Sequence, residues 1–151
     1  MWAQTGAGEK VAFIEDQGAD RILVGEAQDL REPLAELQPT AVFDPLGGDF
    51  VAVAVEALAP RGRLVSFGTS AGPQVSFNMQ TLYRNMLTVL GYGGMHLDAR
   101  EHRAGLQAAL GALAAGELRV SIDEVLPLAA VGEALGRLER RQAQGKLLLE
   151  L

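Results

Sequence analysis

An α/β fold carried on a parallel sheet is predicted by three observations. Short apolar runs recur at Trp2 to Thr5, Ile22 to Val24, Ala41 to Phe43, Leu64 to Phe67 and Thr88 to Leu90, in steps of about twenty residues. A helix-like segment or a long crossover separates each run from the next, which is the pattern of successive βαβ units with helices on both faces of the sheet. Two of the runs also empty into turn-forming stretches, Asp44-Pro45-Leu46-Gly47-Gly48-Asp49 and Ser66-Phe67-Gly68-Thr69-Ser70-Ala71-Gly72. Such loops lie at the carboxyl ends of the strands, the rim where parallel sheets bind ligands.

The connecting segments carry their own punctuation. Val11 and Ile14 mark an apolar helix face that ends at Gly18, and Pro33 fits only a first helical turn. Asp49 is expected to cap a helix from Phe50 to Leu58, after which Ala59-Pro60-Arg61-Gly62 makes a tight turn. A longer helix is expected from about Arg100 to Ala115, with Leu106, Leu110 and Leu113 at helical spacing and Gly116 as its stop. From about residue 120 the pattern becomes a strand-helix-strand tail: a run from Ile122 to Leu126, a helix from about Leu128 to Gln142, and a terminal strand after Gly145-Lys146. That last strand is nearly all leucine, so it must be paired or covered.

Composition narrows the function classes. A chain of 151 residues fits one domain and buries roughly 70% of its extended surface on folding. The expectation is a single unit over 1–151. The net charge is -6, and no basic patch suited to a nucleic-acid backbone is present. No apolar stretch is long enough for a membrane span and no signal or transit peptide is visible at the start, so a soluble cytoplasmic protein is expected. The chain has no cysteine and two histidines, His96 and His102, without a metal-binding spacing, so no zinc is expected.

Several residues stand out as candidates. Gly6-Ala7-Gly8-Glu9-Lys10-Val11 begins like the dinucleotide fingerprint G-x-G-x-x-G, with Val11 at the third position. Gly6 and Gly8 are equally ordinary turn residues opening a helix. Asp44 is a carboxylate at a strand end, where capping of the following turn is favoured over a catalytic or ribose contact. Tyr92, before Gly93-Gly94, could set a phenol near the ligand end of the sheet, but burial under the long helix is the favoured expectation. No catalytic residue is singled out.

In order and spacing, Glu9-Lys10-Val11-Ala12-Phe13 with Gly18-Ala19-Asp20, Phe43-Asp44-Pro45-Leu46-Gly47-Gly48, Leu58-Ala59-Pro60-Arg61-Gly62-Arg63-Leu64-Val65, Phe67-Gly68-Thr69-Ser70 and Gly145-Lys146 form one pattern. It resembles the quinone oxidoreductase branch of the medium-chain dehydrogenase/reductase superfamily, in its zinc-free form. The resemblance implies a Rossmann-like sheet of order 3-2-1-4-5-6 in which Met1 to Thr5 corresponds to the second strand. The chain thus resembles a family member lacking its catalytic domain and its first βα unit. Because the absent strand is the central one, either the strand at Trp2 pairs directly with that at Ala41, or another polypeptide fills the gap, or the chain is a portion of a longer protein.

The resemblance also assigns roles. Lys10 would contact the 2′-phosphate of NADP, while Glu9 beside it is compatible with NAD and a solvated helix lysine is the plain alternative. Gly68, Thr69 and Ser70 would bring backbone N–H groups and hydroxyls to the nicotinamide half of the cofactor, with Gly47 at the neighbouring strand exit. Gly25 stands where some relatives place a tyrosine beside the adenosine. The expected function is NADPH-dependent reduction of a quinone or activated double bond, incomplete in this chain alone. The alternative is a non-catalytic cofactor-sensing or dimerisation module. Expected partners are a small-molecule substrate and either a second copy or a complementing N-terminal chain.

Overall fold

The computed structural model describes every residue from Met1 to Leu151. The chain divides into two compact units, Met1–His96 and Leu97–Leu151. The tail expected from about residue 120 is therefore part of a unit that starts earlier and includes the long helix. No helix is long and apolar enough to cross a membrane.

The first unit alternates strands and helices: β1 (Trp2–Thr5), α1 (Val11–Asp16), β2 (Arg21–Val24), α2 (Arg31–Leu37), β3 (Ala41–Asp44), α3 (Gly48–Ala57), β4 (Arg63–Ser66), α4 (Met79–Arg84) and β5 (Thr88–Gly91). Short 3-10 turns at Gly8–Lys10 and Ala27–Leu30 lead into α1 and α2. Each of the five expected strands is present to within about one residue. All pairing is parallel, yet the strands form two separate sheets, β1-β2 and β3-β4-β5. Direct pairing of β1 with β3 does not occur: a break lies where the Rossmann order places its first strand.

What holds the two sheets in one unit is α3. Seven of its ten residues are buried, including Val51, Val53 and Val55, and its two charged residues, Asp49 and Glu56, are the exposed ones. Val51 and Val55 join Leu58 and Leu64 in a cluster against Val42, while Val53 joins Leu23, Ala27 and Leu30 against Trp2 and Leu34. The helix thus packs on both sheets at once. Leu64 is fully buried, at 0% exposure. Leu64→Ala should lower unfolding free energy by about 2–5 kcal/mol, through lost transfer energy and the cavity left behind. Denaturant melts of the purified variant check this.

Asp49 does not cap α3. The cap position belongs to Gly47, at φ 74, and the helix begins at Gly48, so Asp49 sits inside the first turn. There its charge still favours the helix N-terminus.

The second unit comprises α5 (Ala99–Ala114), β6 (Ile122–Pro127), α6 (Val131–Glu139) and β7 (Lys146–Glu150). A capping box starts α5: the Asp98 carboxylate accepts from the Arg100 and Glu101 N–H groups, and Glu101 accepts from the Asp98 N–H. The leucine-rich β7 pairs in parallel with β6. Helix α6 stops at Glu139, earlier than Gln142, because Arg141 turns left-handed at φ 57. Arg137 on α6 donates to Asp123 and Glu124 on β6 at 2.8 and 2.5 Å. The hydrogen bond to Glu124 leads the effects that raise the Arg137 guanidinium above its ordinary pKa.

Candidate cofactor site at the strand exits

In the first unit the loops leaving β3 and β4 interlock. The Phe67 N–H donates to the Asp44 carbonyl at 2.9 Å, the Ala71 N–H to the Leu46 carbonyl at 2.7 Å, and Gly47 bridges to Gly72. This close approach needs glycine at two positions. A Cβ on Gly47 would stand 2.5 Å from the Gly72 oxygen, with a positive φ besides, and one on Gly68 would stand 2.2 Å from the Pro45 oxygen. Both glycines therefore have a packing reason that needs no ligand.

Asp44 is buried and organises the turn beneath them. Its carboxylate accepts from the Leu46 N–H at 3.2 Å, the Gly47 N–H at 2.9 Å and the Ser66 hydroxyl at 3.2 Å. This is the capping role favoured from the sequence, extended to the neighbouring strand. With its acceptor sites turned inward on its own loop, Asp44 is a support for the rim.

Two clefts open on this rim. One, of about 370 Å³, is lined by Ser66, Phe67, Gly68, Thr69, Tyr92 and Gly93 among others, at the exits of β4 and β5. Tyr92 is 61% exposed and forms part of its wall, so the expected burial of this ring does not occur. Every residue of β5, the strand before it, is exposed as well. The other cleft, of about 410 Å³, lies between the β2 exit and the start of α3 and includes Glu26, Gln28, Arg31, Asp49, Phe50 and Ala71.

The structure brings Gly47, Gly68 and Thr69 together, with the Thr69 Cα 3.1 Å from the position of a Gly47 Cβ. Ser70 follows on the same loop and is exposed. Lys10 is elsewhere, half-buried on the 3-10 turn after β1, and lines neither cleft. Gly25 has a firm local reason: at φ 142 a Cβ would lie 2.6 Å from the Asp29 carboxylate, which closes the capping box with Glu26. Sequence reasoning missed Gly72 as the bridging partner and the Pro45 carbonyl as the floor under Gly68. The signal available for the first was Gly72-Pro73, a turn dipeptide.

The zinc-binding dehydrogenase family profile matches residues 17–149. The chain belongs to this family. Among zinc-binding dehydrogenase relatives, a quinone oxidoreductase of Pseudomonas aeruginosa is 28% identical over 97% of this chain and 43% of its own length. The crystal structure of AibC superposes with a TM-score of 0.84 at 26% identity, over 98% of this chain and 41% of that one. A mycobacterial protein, Rv1454c, solved in complex with NADPH, shares the fold at a TM-score of 0.82 and 24% identity, over 99% of this chain and 49% of its own. The chain thus spans under half the length of these relatives, and the likeness bears out the Rossmann-like class and the expected resemblance to quinone oxidoreductases. Despite the family's name, the residues present do not fit a zinc ion. There is no thiolate donor, and no three His, Asp or Glu side chains gather where they could share a metal.

Proposed function

We propose that this chain forms the cofactor-binding part of an NADPH-dependent reductase acting on quinones or activated double bonds. The observation that carries the reading is the cleft at the β4 and β5 exits, walled by Gly68, Thr69, Tyr92 and Gly93. It lies at the carboxyl ends of parallel strands, where doubly wound sheets hold nucleotides. The quinone oxidoreductase relative and the NADPH complex of a protein with the same fold support it. A bound nicotinamide would supply the hydride. This chain's part is to orient the ring through the Gly68-Thr69-Ser70 loop, with Gly47 letting the two loops approach and Lys10 pairing with the 2′-phosphate.

Further polypeptide would be needed to close the substrate side, so the small-molecule acceptor is reduced only by a completed protein, in the cytoplasm. A homo-oligomer joined through β5 is part of the proposal, since all four residues of that edge strand are exposed. The same edge favours a second reading, a dimerisation or cofactor-sensing module without turnover.

Titration of the purified chain with NADPH and NADH, followed through Trp2 fluorescence, tests the cofactor role. NADPH is expected to bind more tightly than NADH. Lys10→Ala should weaken NADPH by about tenfold and leave NADH nearly unchanged, the loss of one charge-assisted contact. Equal and unchanged affinities for both nucleotides would remove Lys10 from the site. No saturable binding at millimolar nucleotide, with a stable dimer present, would favour the module.

A further inference from the structure

Two aromatic rings stand side by side at the exits of β4 and β5. In the ladder Ser66 lies opposite Gly91, and the Tyr92 N–H donates to the Ser66 carbonyl at 2.9 Å, so Phe67 and Tyr92 are the next residues in register. Opposed residues on paired strands point to the same face, with the strands about 4.8 Å apart. The two rings are therefore neighbours, and both wall the cleft there. Neither is drawn into a core, since Phe67 is 50% and Tyr92 61% exposed. Adjacent large side chains left open at a cleft mark a place for a ligand.

The remaining lining says what kind of ligand. Gly68, Gly91 and Gly93 bring no side chain, so they present only main chain to a flat molecule. No charged residue lines this cleft, whereas Glu26, Arg31 and Asp49 line the other. The Ser66 hydroxyl is engaged by Asp44 at 3.2 Å, while the Tyr92 hydroxyl, exposed with its ring, is left to donate to a ligand. A planar, uncharged ring system with a carbonyl at its edge matches this set: a face for the rings to stack on, no charge to pair, and an acceptor for the phenol. A quinone has all three, and an acyclic enone lacks the ring face.

Building on the reductase reading above, we propose that Phe67 and Tyr92 form its acceptor subsite: an aromatic platform that takes an uncharged quinone in preference to an acyclic enone, with the Tyr92 hydroxyl donating to a quinone carbonyl. The nicotinamide keeps the Gly68-Thr69-Ser70 side of the cleft and the quinone the ring side, so that the two planes meet face to face. Phe43 is a third exposed ring on this sheet, at 73%, but it lies opposite Val65, two residues short of Phe67, and does not line the cleft. It serves as the internal control.

NMR titration of the purified chain tests it, with menadione as an uncharged two-ring quinone and mesityl oxide as an uncharged acyclic enone, each alone and with NADP+ as a non-reducing cofactor. The chain has no cysteine, so neither probe can add to a thiol. Menadione should shift the amides of Gly68, Gly91 and Gly93 saturably, and mesityl oxide should bind at least about tenfold more weakly. Tyr92→Phe should weaken menadione about threefold through the lost hydrogen bond, Phe67→Leu about threefold through the lost ring, and Tyr92→Ala about tenfold, while Phe43→Ser changes nothing. A separate NADPH titration should give the same affinity in each variant as in the parent chain. Equal affinity for the two probes, menadione shifts confined to residues around Phe43, or unchanged menadione binding in Tyr92→Ala would overturn the proposal. So would Tyr92 variants that lose NADPH rather than menadione, which would give the rings to the cofactor. Menadione bound at the rings without any NADPH binding would uphold the subsite and sink the cofactor reading alone, and NADPH bound without menadione would do the reverse.

Discussion

Gly68→Ala is expected to destabilise the first unit by about 2–3 kcal/mol and to open the rim cleft. The cause is steric, since the new Cβ would stand 2.2 Å from the Pro45 oxygen and 2.9 Å from its carbon. Both are main-chain atoms of a loop that is itself hydrogen-bonded to Asp44 and Ala71, so neither can swing aside as a side chain would. The two strand exits must separate, and the Ala71 to Leu46 and Phe67 to Asp44 bonds lengthen. Gly91→Ala is the control. It borders the same cleft, yet a Cβ there meets nothing within 4 Å, so its effect should stay within about 0.5 kcal/mol. Urea melts of both variants decide the matter, and equal midpoints would mean that the loops do not lock as described.

The second large effect is expected at Asp44. Asp44→Ala removes the acceptor for the Leu46 and Gly47 N–H groups and the Ser66 hydroxyl. The Gly47 bond is buried, so its donor would be left without water. A loss of about 2–4 kcal/mol follows from the unpaired donors. Asp44→Asn should fall between, at about 1–3 kcal/mol. Ser66 can turn its hydroxyl to accept from an amide, whereas a backbone N–H facing that amide cannot adapt. Combining Asp44→Ala with Ser66→Ala should cost less than the two losses added, because they share one bond. Strict additivity in denaturant melts would show that the Ser66 contact contributes nothing.

Much of the fold was legible because parallel strands buried in a sheet appear as short apolar runs bounded by turns. Ile22 to Val24 and Thr88 to Leu90 both lie within the observed strands. The absence of the central strand was legible too, from the strand order, but direct pairing of β1 with β3 stayed open until the structure showed two separate sheets. What escaped was set by geometry at a distance. The start of α3 was misplaced at Asp49 because a polar residue before an apolar run looks like a cap. Asp44 already orders that turn, and Gly47 and Gly48 take positive φ values of 74 and 54. The end of α6 rests on Arg141 turning left-handed without glycine or asparagine to announce it. At the site, the glycine loops were visible, but the tightness at Gly68 depends on a carbonyl far away in sequence.

The burial of α3 on opposite flanks has a thermodynamic consequence. Val53 belongs to the cluster beneath β2, and Val51 and Val55 to the one beneath β4. Melting either half would therefore strip one flank of the helix that the other half needs. With no ladder joining the halves, this shared helix is what makes their loss concerted, so the first unit should unfold in a single cooperative step.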